Sequence, residues 1–228
     1  MIENLKKKID NYDNEFALKI NKDLNSQESL ATYDTKSSKL NVKKKKVVNH
    51  LASNCTSPQG KKEKNKLIFV AGDSMVIGVE PSQIACDKDH KVVIHPFSKA
   101  TSSDMMDFVK PLIKRKPDTF ILHIGANDMT NKIDTINNLK EIRKLFRKDL
   151  PDCDFVLSEC TMRNDRKGIN NKVNSLNDEI NLLSTELNIQ VIKHNDISHK
   201  HLGKGKLHLN ERGKSLFALD FRDYLENA

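Results

Sequence analysis

The chain has 228 residues, of which 37% are apolar, 31% charged and 5% aromatic, with no tryptophan. That length holds one ordinary domain with residues to spare, and so lean an apolar content builds a sizeable core only where it is concentrated. A net charge of +8 suggests an anionic partner, but fourteen lysines against eight Asp or Glu place +6 of it in residues 1–65 and leave +2 for the remainder.

Ile2, Leu5 and Ile9 outline one side of a short helix within residues 1–25 before the pattern dissolves into charge. Residues 26–65, rich in Ser, Asn, Thr and Lys and containing the run Lys43 to Lys46, bury too little apolar surface to offset the entropy of ordering them. Residues 1–65 therefore read as a flexible basic segment and residues 66–228 as the folded domain. Leu67 to Ala71 is a short apolar run ending in Gly72-Asp73-Ser74, as expected of a buried strand. Comparable runs follow at Lys91 to Phe97, Thr119 to Gly125 and Phe155 to Glu159, with a weaker one at Ile189 to Lys193.

Helical spacing fills the intervals. Met105, Val109, Leu112 and Ile113 share a face, with Pro111 expected to kink that helix and Pro117 to limit it. Ile136, Leu139, Ile142 and Phe146 repeat the spacing. Ile169, Val173, Leu176, Ile180, Leu183 and Leu187 form one continuous stripe. A last helix from about Asn210 buries Phe217, Phe221 and Tyr224, flanked by Leu216 and Leu225. Strict alternation of strand and helix predicts a mostly parallel five-stranded sheet between two helical layers, because right-handed crossovers place a helix between neighbouring parallel strands. Ligands of such sheets gather at the strands' carboxyl ends. Gly72-Asp73-Ser74 and Gly125-Ala126-Asn127-Asp128 fall there.

The four cysteines, Cys55, Cys86, Cys153 and Cys160, have no CxxC spacing, which assigns no zinc site and suits a reducing compartment. The sequence shows no secretory apolar run and no stretch of bilayer-spanning length, so an intracellular protein is expected. His194, His199 and His201 lack supporting Cys or Glu spacing, and no metal is assigned to them. No Gly-rich phosphate loop calls for a nucleotide or magnesium, and no cofactor is expected. His123 reads as a core or cleft-supporting residue. Arg163, Asn164 and Asp165 read equally as cleft rim or as an Asx-type turn with surface charge.

Together with Leu207-His208-Leu209-Asn210, the two glycine-containing segments look like a nucleophile, an oxyanion donor and a base. In order and spacing, residues 66 to about 225 resemble the SGNH (GDSL-type) hydrolase family. The flanks Ile121-Leu122-His123-Ile124 and Asn210-Glu211-Arg212-Gly213 are similar too. The resemblance implies a flavodoxin-like three-layer α/β/α fold and, commonly, ester hydrolysis. Ser74 would be the nucleophile, His208 its base and Asn127 an oxyanion donor, with Asp73, Gly125 and Asp128 supporting the loops. Residue by residue, helix capping by Ser74 and turn formation by Asn127 are the structural alternatives.

Two positions depart from the family pattern. Lys99, in Ser98-Lys99-Ala100-Thr101 ahead of Asp104, stands where the family has a glycine whose N–H, with that of Ser74, serves the oxyanion; lysine keeps the N–H but is strained if the loop needs positive φ. Gly205, between Lys204 and Lys206, stands where the family has the aspartate that orients the histidine. A backbone carbonyl near Gly205, or the carboxylate of Asp196, could take over that task. The expected function is thus an esterase or acyl-hydrolase acting on a small ester. The competing reading is a catalytically impaired pseudoenzyme that binds in the same cleft. Nucleic-acid association through residues 36–66 is a separate expectation, against which stands the absence of aromatic residues among those lysines.

Overall fold

The computed structural model describes residues 65–228. The expected amino-terminal helix and nearly all of the basic segment lie outside them.

Five strands follow in chain order: β1 (Lys66–Gly72), β2 (His90–Pro96), β3 (Thr119–His123), β4 (Asp154–Ser158) and β5 (Val191–Ile192). Five helices connect and close them: α1 (Pro81–Ile84), α2 (Ser102–Ile113), α3 (Lys132–Asp149), α4 (Ile169–Leu187) and α5 (Glu211–Glu226). The strand order is β2-β1-β3-β4-β5 and every pair is parallel. This is the flavodoxin-like arrangement, wholly parallel in this chain. Succession reverses between β1, whose next strand lies on one side, and β3, which lies on the other. Gly72 pairs with His123 at that reversal, which is the switch point where open α/β sheets leave a crevice.

Successive side chains of a strand point to opposite faces, and each face has its own core. Val70, Ile121, Val156 and Ile192 pack with Ile84 of α1 and with Phe217, Ala218 and Phe221 of α5. Phe120 and Phe155 meet Phe146 of α3 on the other side, with ring centroids 4.6 and 4.7 Å apart. Full burial of such a ring is worth about 2–3 kcal/mol.

Sequence and structure differ in detail. The fifth strand is only two residues long. The α2 helix continues through Pro111 to Ile113, since a proline so near the carboxyl end removes little of the hydrogen-bond ladder. In α3 the stripe includes fully buried Thr135, whereas Ile136 is half-buried; the Thr135 hydroxyl donates to Asn131 O at 3.0 Å. Among the described residues no helix is long and apolar enough to cross a membrane, and no cluster of three His, Cys, Asp or Glu could hold a metal.

Candidate active site

The end of β1 leads directly into the first motif. Gly72 O accepts from Phe97 N at 2.8 Å and His123 O accepts from Asp73 N at 3.2 Å, tying this turn to both neighbouring strands. Asp73 is buried, and its Oδ1 accepts the Met75 N–H at 2.9 Å. Asp73 rather than Ser74 is therefore the capping residue of the single 3-10 turn Ser74–Val76. Ser74 is half-buried, and its hydroxyl has no hydrogen bond to any described residue. Burial pushes the Asp73 carboxyl up to about 6, against the opposing pull of the Met75 and Ala126 N–H groups.

Lys99 lies in the second loop with φ of +63°. A left-handed conformation at a lysine costs about 1 kcal/mol relative to glycine, so the strain anticipated for this position is present. Two residues on, Thr101 caps α2 in a reciprocal box: its hydroxyl accepts the Asp104 N–H at 3.3 Å while Asp104 accepts the Thr101 N–H at 2.8 Å.

The third segment clasps this second loop. Asn127 Nδ2 donates to Ala100 O at 2.8 Å, which leaves one of its two N–H groups for another acceptor. Asp128 accepts the Ser102 N–H at 3.0 Å and the Ser102 hydroxyl at 2.9 Å, placing a carboxylate on the first turn of α2; burial raises the Asp128 pKa. Gly125 has φ of +125°, and a Cβ there would lie 2.8 Å from Leu176 Cδ2 and 2.9 Å from Cys160 Sγ. Gly125→Ala is expected to cost about 2–3 kcal/mol in denaturant unfolding through strain and overpacking combined.

Arg163 was legible in the sequence only as rim or surface charge. It is in fact buried. Its Nη1 donates to Ala126 O at 2.6 Å, and its Nε and Nη2 grip Asp165 at 2.7 and 2.8 Å. These hydrogen bonds hold the Asp165 carboxyl down at about 2. One residue on, Asn164 N donates to Lys206 O at 2.7 Å. The loop after β4 thus joins the Asn127 segment to the His208 loop.

An antiparallel bridge between Leu202 and Leu209 closes the His208 loop, with Gly203 N donating to His208 O at 2.7 Å. Lys206 N donates to Gly203 O at 2.8 Å across its tip. At the base, Asn210 N donates to His201 O at 2.9 Å, and the Asn210 side chain accepts from Gly213 N to cap α5. His208 is exposed, and its imidazole has no hydrogen-bond partner among the described residues; exposed Asp196 has none either. No hydrogen bond joins Ser74 to His208 or Asp196 to His208 in this structure. His199 and Lys200 are exposed, while buried His201 accepts the Ser198 N–H at 3.0 Å.

The structure does hold a Ser-His-Asp chain, on residues that no motif marks. Asp220 Oδ2 lies 2.6 Å from His194 Nδ1, His194 Nε2 lies 2.7 Å from Ser158 Oγ, and Ser158 Oγ lies 2.9 Å from His123 Nδ1. An ionised Asp220 can only accept, which assigns the sequence of protons when both rings are neutral. His194 donates from Nδ1, Ser158 donates to His194 Nε2, and His123 donates from Nδ1 to Ser158. His123 Nε2 is then a bare acceptor, and it is buried without a partner. Burial drives the His123 pKa down to about 3. Phe217 covers both rings, with centroids 4.9 Å from His123 and 4.5 Å from His194. Ser158 is 1% exposed, so a substrate carbonyl has no approach to its hydroxyl. This relay braces the end of β3, whose His123 carbonyl receives the Asp73 N–H. A groove of about 790 Å³ beside β5, lined by Lys193, Asp220 and Tyr224, is bordered by none of Ser74, Asn127 or His208.

No protein-family model matches the sequence, and no curated protein does. Solved structures match its fold. A member of the lipolytic G-D-S-L family from Veillonella parvula superposes with a TM-score of 0.61 at 17% identity, over 72% of this chain and 100% of that one. The psychrotrophic esterase EstA from Pseudoalteromonas sp., solved with monoethylphosphonate as inhibitor, gives 0.59 at 16% identity over 71% and 97%. An acetyl xylan esterase, AlAXEase, gives 0.60 at 13% identity over 70% and 99%. The described domain therefore has the GDSL, or SGNH-hydrolase, fold. Identities this low carry the fold alone.

Proposed function

We propose that the chain is a serine hydrolase that cleaves a small ester or acyl group through Ser74. The observation that carries this reading is the Ser74 hydroxyl, relieved of capping by Asp73 and standing at the switch point of the sheet. His208 takes the hydroxyl proton as Ser74 Oγ attacks the substrate carbonyl, a transfer that requires the imidazole within about 3 Å of the hydroxyl. The Ser74 and Lys99 N–H groups and the second N–H of Asn127 receive the oxyanion, a donor of this kind being worth about 3 kcal/mol in the transition state. Collapse expels the alcohol, which leaves with the proton from His208. Water, deprotonated by His208, then releases the acid and restores Ser74.

A second reading has a specific observation behind it. His208 has no acceptor holding its ring, so the fold supports binding in the same cleft with little turnover. One comparison separates the two. The full chain and its Ser74→Ala form are incubated with short-chain nitrophenyl esters and, separately, with an organophosphonate probe. Hydrolysis and labelling lost to background in Ser74→Ala support the hydrolase. Identical behaviour of both forms overturns it.

A further inference from the structure

Four lysines without ion-pair partners stand on the loops that carry the candidate site. Lys99, Lys167, Lys204 and Lys206 are exposed, and none forms a salt bridge with a described residue. Their loops are stitched together by short hydrogen bonds. Lys206 O accepts from Asn164 N at 2.7 Å, the adjacent Arg163 donates to Ala126 O at 2.6 Å, and Asn127 donates to Ala100 O, beside Lys99, at 2.8 Å.

The carboxylates of the same loops are engaged. Asp165 is held by Arg163 and also by Arg166 at 3.3 Å. Asp104 accepts from the cap residue Thr101, and Asp128 from Ser102 in the first turn of α2. Among the described residues of these loops, Glu80, after β1, and Asp196, after β5, are exposed carboxylates without a partner. Lys99 moreover keeps its charged side chain on a backbone of positive φ that glycine adopts at no cost. A positive field at the mouth of a cleft concentrates anions there and is weakened by salt, with a screening length of about 8 Å at physiological ionic strength.

We propose that this lysine rim selects an anionic substrate, an ester whose acyl or alcohol part bears a carboxylate or phosphate. This selectivity rests on the hydrolase reading of Ser74. An exposed charge contributes roughly two- to five-fold in such recognition, so two lysines at the low end of that range are together worth about fivefold.

The test compares two nitrophenyl esters of equal acyl length, the neutral pentanoate and the glutarate half-ester, on the full chain. The glutarate half-ester is expected to give about tenfold higher kcat/KM. In Lys204→Gln/Lys206→Gln that preference falls to about twofold, with the neutral ester unchanged within about twofold. Equal rates for both esters in the unmodified chain, or a preference that survives both replacements, overturn the rim and leave the hydrolase intact. Absence of Ser74-dependent turnover of either ester overturns the hydrolase instead. The rim is then read from calorimetric binding of inorganic pyrophosphate to the Ser74→Ala chain. Binding about fivefold weaker without the two lysines supports it, and equal binding refutes it. The basic residues 1–65 are the same in every variant and cancel.

Discussion

Gly205→Asp is expected to raise Ser74-dependent ester hydrolysis about a hundredfold in kcat/KM. Gly205 and His208 share the loop closed by the Leu202–Leu209 bridge, and nothing lies within 4 Å of where a Cβ at Gly205 would stand. Its φ lies outside the left-handed region, so a side chain there adds no backbone strain. The His208 ring now lacks an acceptor for its Nδ1 proton. In the proposed mechanism a base without one spends its time in the wrong tautomer and orientation, and the imidazolium formed during attack would have no counter-charge. Removing the acid from a complete triad costs about four decades. Only about two are expected in return here, because Lys204 and Lys206 compete for the new carboxylate. Gly205→Asn is the control, since it fills the same space without charge and should gain less than about tenfold. An aspartate variant no faster than the asparagine variant would show that the missing acid is not what limits His208.

Stability is expected to fall by up to about 1.4 kcal/mol per pH unit between pH 6 and 4, measured by denaturant unfolding. Burial depresses His123 to about 3 and, with the Arg115 charge adding to it, His95 to about 4, both from 6.5. Unfolding frees both rings to take up protons below about pH 6.5, so each group's contribution is complete above that pH and is lost as pH falls toward its folded value. Asp73 works the other way. Its folded value of about 6 lies above the ordinary 3.8, so the folded chain holds an extra proton between those limits, and acidification relieves a penalty. Two histidines against one aspartate leave the unfolded chain one proton ahead. Asp128, raised by burial, opposes the histidines in the same sense as Asp73. Asp165, held at about 2, keeps its contribution above pH 4 and loses it only as pH falls below that.

Two variants separate these contributions. His123→Gln, whose amide can still donate to Ser158, should flatten the dependence nearly to zero. Asp73→Asn should steepen it to about 2.8 kcal/mol per unit. A slope the same in all three proteins would overturn the assignment.

The elements of the fold were legible because their signals are local. The stripe from Ile169 to Leu187 lies on a helix of just those bounds, and the apolar runs before Gly72 and Gly125 are strands of the sheet interior. At the first motif the cap is Asp73, which removes the capping role that was the structural alternative for Ser74. Both Asp73 and Ser74 are competent caps, and the choice depended on which side chain was turned inward. Thr135 displaced Ile136 from the α3 stripe because its hydroxyl could be satisfied by the turn before it.

Chain order and residue type by themselves determined an alternating α/β domain, the loops that carry Ser74, Asn127 and His208, and the lack of an acid three residues before His208. Only the tertiary structure decided the positive φ at Lys99, the burial of Arg163 against Ala126 and the relay through Ser158. The partners in that relay are 35, 36 and 26 residues apart. Local periodicity carries no information at such separations. The register of parallel strands and the seating of α5 over them bring these side chains together, and both depend on packing across the whole sheet.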